Sequence, residues 1–268
     1  MDPKDCYNDL ASHYHLLFEN WDSSIARQAS ILGPILERQC GLPAESRILD
    51  IACGIGTQSL GLAKLGFRIT GCDISPAAIA RARVEASQRN LDIQFSVADM
   101  LDLTALEQSN FDAVICMDNA LPHLENTEQL IQAVTHIRNK LRPKGLFMAS
   151  IRDYDLLIKE RPTVQGPSFY SDQARPRIVL QVWDWLDERR YMFHLYITRM
   201  VENKWQTFHT TAVYRALLRE ELSEALNQTG FTNIRWLLPA ESGFYQPVVL
   251  ATAAEALARP KQSFQQLL

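Results

Sequence analysis

The chain has 268 residues and a mass of 30.5 kDa, enough for one large domain with a full hydrophobic core. Its formal charge of −4 and pI of about 5.9 disfavour a nucleic-acid partner, because such binders usually carry an excess of lysine and arginine. The five cysteines have no CxxC spacing, so we expect reduced thiols in a cytoplasmic protein. We expect no signal peptide and no membrane span, since no apolar run approaches the ~18 residues that a spanning helix needs.

The residues before position 47 predict two helices, Asp5–Phe18 and Asp22–Gln39. Between Arg47 and Ile151, short apolar runs alternate with longer helical segments, which predicts parallel strands joined by crossover helices. The predicted helices begin near Thr57, at the Ser75-Pro76 cap and at Asn126. The predicted strands are Arg47–Ala52, Arg68–Asp73, Ile93–Val97, Phe111–Cys116 and Gly145–Ile151. The fourth of these is almost wholly apolar, as expected of a strand that is covered on both faces.

Beyond Ile151, aromatic and β-branched runs joined by polar turns predict an antiparallel meander, which we place over the ligand site. The meander strands are Arg177–Leu186, Arg190–Val201 and Lys204–Tyr214. A helix at Leu218–Thr229 and two runs, Phe231–Leu238 and Tyr245–Ala251, then resume the α/β pattern. We therefore expect a single domain over 1–268, with N-terminal helices (1–46), a cofactor-binding half (47–151), a β insertion (172–216), a closing helix and strands (217–253) and a tail (254–268).

The stretch from Ile48 to Thr57, ILDIACGIGT, predicts a buried strand that ends in a glycine-rich turn. Gly54 and Gly56 can adopt positive φ and bring backbone amides close to a ligand. A tight connection without a ligand is also compatible with two glycines. A dinucleotide fingerprint requires a third glycine where this chain has Ser59, and a phosphate-binding loop requires a lysine followed by serine or threonine. The turn therefore favours a ligand that has no pyrophosphate.

Acidic residues follow the next two predicted strands. Asp73 ends the second strand, where an open α/β sheet binds a ribose diol, and Asp99 follows the third. A carboxylate suits a diol because it offers two acceptors to two donors. Either aspartate alone is more often a turn or capping residue. Both aspartates in order after the glycine turn favour a binding role.

These residues resemble those of the Rossmann-like (class I) S-adenosylmethionine-dependent methyltransferases, over roughly Ile48 to Ile151. The resemblance implies an α/β fold with an open, mostly parallel, seven-stranded doubly wound sheet and an antiparallel β insertion after the fifth strand. It implies S-adenosyl-L-methionine as the cofactor, with ribose at Asp73 and adenine at Asp99 and Met100, and it implies no metal. The residues that it assigns to the cofactor are Asp50, Ala52, Gly54, Gly56, Asp73, Ile74, Asp99, Met100, Cys116 and Met117.

The run from Phe111 to Leu124 and the segment after the fifth strand look like the glycine N-methyltransferase group of small-molecule enzymes. Asn119 and the His123-Leu124 pair match that group, where an arginine at the position of Arg152 holds an amino-acid carboxylate. An ordinary salt bridge with Asp153 or Asp155 explains Arg152 equally well. The resemblance is weaker in the meander and in the N-terminal helices, so it does not imply that this chain prefers glycine.

Methyl transfer from a sulfonium to a neutral amine needs alignment and desolvation, and positioning contributes ~7–11 kcal/mol in well-oriented reactions. Asn119 can orient an amine, Tyr14 or Tyr154 can offer a hydroxyl, and His123 can act as a base. For His123 we favour a packing or helix-capping role. The predicted catalytic set is Asn119, Arg152, His123 and Tyr14, acting on a small-molecule acceptor.

Six aromatic residues of the meander can line a pocket or hold a methylammonium by cation–π attraction, although most are expected in a core or a subunit interface. They are Trp183, Trp185, Tyr191, Phe193, Tyr196 and Trp205. A homodimer through the insertion is one consequence. Two other hypotheses remain open: O-methylation of a metabolite and a non-catalytic cofactor-binding subunit. A nucleic-acid methyltransferase is disfavoured because the chain lacks the expected proline pair and aromatic residue. An oxidoreductase is disfavoured by Ser59.

Overall fold

A computed structural model describes residues 3–171 and 176–255 of the chain. The helices are α1 (Pro3–Leu10), α2 (Trp21–Pro34), α3 (Thr57–Lys64), α4 (Pro76–Gln88), α5 (Thr127–Lys140), α6 (Tyr154–Glu160), α7 (Arg219–Gln228) and α8 (Pro239–Ser242). The strands are β1 (Arg47–Ile51), β2 (Arg68–Asp73), β3 (Gln94–Val97), β4 (Phe111–Cys116), β5 (Leu141–Ser150), β6 (Val164–Tyr170), β7 (Arg177–Trp185), β8 (Arg190–Val201), β9 (Lys204–Arg215), β10 (Phe231–Leu237) and β11 (Val248–Ala253).

A seven-stranded sheet with the strand order β10-β11-β5-β4-β1-β2-β3 forms the centre of the molecule. The pairs among β1 to β5 are parallel, and β11 runs antiparallel to both β5 and β10. Helices α3, α4 and α5 connect β1 to β2, β2 to β3 and β4 to β5, and a loop connects β3 to β4. The predicted open, mostly parallel, doubly wound sheet is confirmed. Because β1 lies between β2 and β4, the strand order reverses beside it, and the carboxyl ends of these strands form the crevice where such sheets bind ligands.

Both faces of the central sheet are covered, which explains the apolar sequence of β4. Val114 and Cys116 belong to one hydrophobic cluster, and the alternate residues Ala113 and Ile115 belong to a second cluster on the other face. All four are fully buried. The prediction from the continuous apolar run is therefore confirmed, since an exposed face would require alternating polar residues.

A second, antiparallel sheet has four strands in the order β6-β7-β8-β9. The expected insertion at 172–216 contains only three of them, because β6 and the short helix α6 lie before it. Gly166-Pro167 and a change of register at Gln165/Ser168 interrupt the strand pattern of β6, which explains why periodicity did not reveal it. Residues 172–175 of the expected insertion and 256–268 of the expected tail lie outside the described residues.

Of the two predicted N-terminal helices, the first is wrong in detail and the second is confirmed in its extent. The first, Asp5–Phe18, is divided into α1, which ends at Leu10, and a 3₁₀ turn at Tyr14–Leu17. The second begins at α2, where the Asn20 side chain accepts a hydrogen bond from the backbone of Ser23, and it widens into a π-helical turn at Ile35–Gln39. Within the described residues, no helix has the length and apolar character needed to cross a bilayer.

The second sheet and α1 share a hydrophobic cluster with one face of the central sheet. Side chains from β8 and β9 reach the loops that follow β4 and β5: Tyr191 bonds to Arg152, and Tyr214 packs against His123. The meander thus lies against the carboxyl end of the central sheet.

Candidate active site

The glycine-rich turn after β1 is held in left-handed backbone conformations. Ala52, Gly54 and Gly56 have φ values of 55°, 55° and 93°, and Gly56 is the N-cap of α3. Left-handed φ is uncommon for a residue with a β-carbon, so Gly54 and Gly56 adopt it without strain, whereas Ala52 bears strain. The Gly54 amide points toward the end of β2 and donates a 2.8 Å hydrogen bond to Asp73 Oδ2.

Asp73 connects the glycine turn to the start of α4. Its Oδ2 accepts from the Gly54 amide and its Oδ1 accepts from the Ser75 amide, both at 2.8 Å. Burial raises the pKa of Asp73, and the two amides oppose that shift because they stabilise the charged form. Each oxygen retains acceptor capacity, so the carboxylate can also accept hydrogen bonds from a ligand.

A cavity at the carboxyl end of β1, β2 and β4 brings together seven of the ten predicted cofactor residues. We call it the cofactor cavity, and it encloses about 1110 Å³ with its open mouth included. The predicted residues that line it are Ala52, Gly54, Asp73, Ile74, Asp99, Met100 and Met117. The glycine turn, the β2 carboxylate and the Asp99-Met100 pair therefore face one space, as the sequence predicts from their order after successive parallel strands.

The other three predicted cofactor residues lie behind the cavity wall. Asp50 is 1% exposed and accepts a 2.6 Å hydrogen bond from Ser59 Oγ. Burial raises its pKa to about 7, opposed by the Ser59 hydrogen bond. Gly56 starts α3, and Cys116 is fully buried in the sheet. None of these three residues lines the cavity.

A second cavity adjoins the first and extends toward the meander; we call it the acceptor cavity. Tyr7, Tyr14 and Asp118 line both cavities. Among the described residues, the Tyr14 hydroxyl has no protein hydrogen-bond partner, and burial beside Asp118 raises the pKa of Tyr14 well above its usual value. The structure therefore brings the predicted residue Tyr14 to the boundary between the two cavities with a hydroxyl available to a ligand.

Arg152 lines the acceptor cavity and packs among aromatic rings of the meander. Its guanidinium carbon lies 4.7 Å from the centroid of Trp183 and 5.2 Å from that of Tyr214, and its Nη1 donates to the Tyr191 hydroxyl at 2.6 Å. The alternative of a salt bridge with Asp153 or Asp155 is wrong. Both aspartates approach Arg219 instead, Asp155 at 3.0 Å and Asp153 at 3.6 Å.

Asn119 lines neither cavity. Its side chain is 2% exposed, accepts a hydrogen bond from the Arg152 backbone amide and donates one to the Tyr154 hydroxyl. Tyr154 is also fully buried and bonds to Tyr191. Asn119 and Tyr154 were expected to contact an acceptor amine, but both side chains are buried and their hydrogen bonds go to other protein groups. Asn119 instead fixes the loop that carries Arg152.

His123 lines the cofactor cavity in the short 3₁₀ turn after β4. Its Nε2 lies 2.9 Å from the Tyr7 hydroxyl, and its ring centroid lies 4.1 Å from that of Tyr214. Burial and the nearby positive charge of Arg152 lower the pKa of His123 to about 3, although a hydrogen bond to the Val213 backbone opposes them. The imidazole is therefore neutral and weakly basic, in keeping with the packing role that the sequence favours.

Asp118 is a cavity residue that the sequence reasoning missed. Its Oδ1 accepts from the Tyr245 hydroxyl at 2.6 Å and its Oδ2 accepts from Gln58 Nε2 at 2.7 Å. Both Asp118 and Asn119 have positive φ, 57° and 69°. The sequence signal was the Asp-Asn pair directly after an apolar strand, because these two residue types tolerate the left-handed conformation better than most.

The meander aromatics divide between cavity, core and surface. Trp183 and Phe193 line the acceptor cavity, Tyr191 is fully buried and stacks on Trp183 at 4.6 Å, and Trp205 is 51% exposed. The wall opposite the central sheet is therefore largely aromatic.

Comparison with known proteins agrees with this fold. The family model described as "Methyltransferase domain" matches residues 48–145. A putative methyltransferase, YqeM of Bacillus subtilis, is 28% identical over 84% of this chain and 83% of its own length. The ubiquinone biosynthesis O-methyltransferase of Xanthomonas axonopodis is 33% identical, but over only 41% of this chain and 44% of its own length.

Solved structures share the fold over nearly the whole chain. DesVI of Streptomyces venezuelae superimposes with a TM-score of 0.76 at 20% identity, covering 91% of this chain and 98% of its own. The sugar N-methyltransferase KedS8 of Streptoalloteichus has a TM-score of 0.71 at 19% identity, covering 90% of this chain and 93% of its own.

Residues 48–145 match the methyltransferase domain, and the strand order and the cofactor cavity agree with the fold of the class I, Rossmann-like methyltransferases. The chain is an enzyme that uses S-adenosyl-L-methionine to methylate a small molecule.

Proposed function

We propose that the enzyme transfers the methyl group to the nitrogen of an amine that also carries a carboxylate, such as glycine, sarcosine or a larger amino acid. One observation carries this proposal. Arg152 is a cation in the acceptor cavity, and the described residues give it no carboxylate partner. The likeness to the glycine N-methyltransferase group, in which an arginine at this position holds a carboxylate, is part of the same proposal.

The environment of Arg152 favours an anionic ligand. Burying a charge is costly unless it is paired or hydrogen-bonded. Aromatic faces and the Tyr191 hydroxyl offset part of that cost here, but they supply no negative charge. The carboxylate of an acceptor would complete the site, because a guanidinium can bind it through two parallel hydrogen bonds.

The contact between the two cavities supports a direct transfer. With the cofactor bound along the glycine turn, its sulfonium end would lie toward the residues shared by both cavities, Tyr7, Tyr14 and Asp118. An acceptor held at Arg152 would approach from the opposite side, as in-line displacement requires. The protein would contribute alignment and desolvation of the amine, and the bound cofactor would supply the electrophilic methyl group.

Transfer to oxygen is the second candidate, and the relatives divide between the two. The ubiquinone enzyme is an O-methyltransferase, whereas KedS8 is a sugar N-methyltransferase. The Asp118 carboxylate and the neutral Tyr14 hydroxyl lie at the boundary between the cavities. They favour a nitrogen acceptor, because a carboxylate attracts a protonated amine. His123 is a poor base for deprotonating a hydroxyl, since its pKa is about 3.

The test is a panel of acceptors incubated with the enzyme and methyl-labelled cofactor. Glycine, sarcosine, L-leucine and L-phenylalanine represent the proposed class, and glycolate and phenol represent oxygen acceptors. Mass spectrometry of the product identifies the methylated atom. We expect N-methylated amino acids. O-methylated products alone would refute N-methylation, and methylation of amines that lack a carboxylate at equal kcat/KM would refute the role of Arg152.

We also propose that residues 1–268 act as a single domain and that the enzyme forms a homodimer through the second sheet. Phe169 on β6 and Trp205 on β9 are 72% and 51% exposed, and an interface through the second sheet would cover them. Light scattering would show a mass of about twice 30.5 kDa for a dimer. A Trp205→Glu variant would then have a monomer mass.

A further inference from the structure

We propose that Asp118 binds the protonated amine of the acceptor and removes its proton beside the methyl group of the cofactor. This inference rests on the proposed N-methyltransferase function. It identifies a further catalytic residue and narrows the acceptor to one that arrives with a positive amine and a negative carboxylate.

The position of Asp118 is the first argument. It lies two residues after the end of β4 and lines both the cofactor cavity and the acceptor cavity. Its carboxylate is fixed from two sides, by Tyr245 at 2.6 Å and by Gln58 at 2.7 Å. Each hydrogen bond uses one acceptor site on a different oxygen, so both oxygens can still accept from an ammonium group.

The distribution of charge is the second argument. Arg152 and Asp118 line the same acceptor cavity with opposite charges, and both act electrostatically on the Tyr14 hydroxyl. An acceptor with a carboxylate and an ammonium group can neutralise both. The described residues form no salt bridge to Asp118, although Arg27 of α2 also lines this cavity and lowers the pKa of the Asp118 carboxyl through its charge.

The surroundings of Asp118 adjust its proton affinity. The charged and titratable groups near it are Arg27 of α2, Tyr14 of the first 3₁₀ turn, Asp50 at the end of β1 and Tyr245 before β11. Burial raises the pKa of Asp118, and the hydrogen bonds from Tyr245 and Gln58 oppose that rise. A carboxylate with a raised pKa is a stronger base than one in water.

The proposed steps balance in atoms and charge. The ammonium nitrogen gives one proton to the Asp118 carboxylate, which leaves a neutral amine and a carboxylic acid. The amine lone pair then forms a bond to the methyl carbon, and the electron pair of the broken sulfur–carbon bond stays on sulfur. The products are a methylammonium group and a neutral thioether. Asp118 returns its proton to water after the product leaves.

Asp118→Asn tests the proposal, because asparagine keeps the size of the side chain and tolerates the positive φ of 57°. The acceptor is the amino acid of the panel with the highest kcat/KM in the wild-type enzyme. We expect kcat/KM at pH 7 to fall at least ~100-fold, a general-base-sized effect. The Kd for S-adenosylhomocysteine should change less than ~3-fold, since other residues bind the cofactor.

The pH profile separates this role from a structural one. In the wild type, kcat/KM should decrease as the pH falls through the raised pKa of Asp118. In the variant only acceptor that is already deprotonated can react, so kcat/KM should increase by about tenfold per pH unit up to the pKa of the amine. Asp155→Asn is the matched control, because it removes a carboxylate that pairs with Arg219 and lines neither cavity.

Tyr245→Phe is the second variant and keeps the proposal testable if Asp118→Asn does not fold. Loss of this hydrogen bond to the charged form should raise the pKa of Asp118 and move the acidic limb of kcat/KM to higher pH. An unmoved limb overturns the proposal, as does an Asp118→Asn enzyme with wild-type kcat/KM across the pH range. In both cases the proposal of N-methylation is unaffected. A wild-type enzyme that methylates no amine would refute both N-methylation and the role of Asp118.

Discussion

Asp50 gives the sharpest physical prediction, because it is an acidic group buried behind the wall of the cofactor cavity. It is 1% exposed and accepts a hydrogen bond from the Ser59 hydroxyl. Burial raises its pKa from 3.8 to about 7, so the folded protein prefers the protonated carboxyl. Replacement by asparagine keeps the shape and the bond from Ser59 but removes the ionisation.

The size of the effect follows from linkage between protonation and folding. The folded and unfolded pKa values differ by about 3, which corresponds to an upper limit of ~4 kcal/mol in the free energy of unfolding. Because the folded pKa is the higher one, Asp50 costs nothing below pH 3.8. Above that pH, Asp50 ionises in the unfolded chain but stays protonated in the folded protein. The free energy of unfolding of the wild type therefore decreases progressively up to about pH 7.

Urea denaturation of the cofactor-free wild type and Asp50→Asn at several pH values between 4 and 8 measures this difference. The free energy of unfolding of the variant, relative to wild type, should increase by up to ~4 kcal/mol across that range and then level off. The other aspartates are present in both proteins and largely cancel. A difference that stays constant from pH 4 to 8 would refute the argument.

Three further predictions concern the cavities. Asp73→Ala should reduce the affinity for S-adenosylmethionine by ~100-fold or more in calorimetry, since two charge-assisted hydrogen bonds to ribose are lost; near-normal binding by the folded variant would contradict the ribose assignment. Arg152→Lys should raise KM for an amino-acid acceptor by ~10-fold or more, because a point charge cannot replace the planar fork, while an unchanged KM would argue against carboxylate binding. The kcat profile between pH 5 and 8 should show no step from His123, whose pKa is about 3; a step that disappears in His123→Gln would contradict that value.

The cofactor half was predictable because its information is local. An apolar run with the glycine turn at Gly54 and Gly56, followed by Asp73 and Asp99 after the next strands, indicates the edge of the sheet where ligands bind. Parallel strands place their carboxyl ends at one edge, so sequence order becomes spatial proximity. The structure accordingly brings seven of the ten predicted residues into one cavity.

The acceptor side was less predictable because its contacts join residues far apart in the chain. Asn119 and Arg152 lie 33 positions apart, and the Asn119 side chain accepts a hydrogen bond from the Arg152 backbone amide. Asn119, predicted to contact the substrate, therefore supports the loop of Arg152 instead. Arg152 meets Tyr191 of the meander, and Asp118 meets Tyr245 near the end of the chain. No periodicity or spacing in the sequence specifies such pairs.

The sequence by itself determined the α/β class and the glycine turn, because these depend on local backbone preference and on the order of strands. The resemblance of these residues to the class I methyltransferases implied the cofactor. Only the tertiary structure decided that Arg152 has aromatic neighbours instead of a salt bridge and that Asp118 lies between the two cavities. The physical reason is that charge pairing and burial depend on which distant segments pack together. Here the meander packs against the carboxyl end of the central sheet.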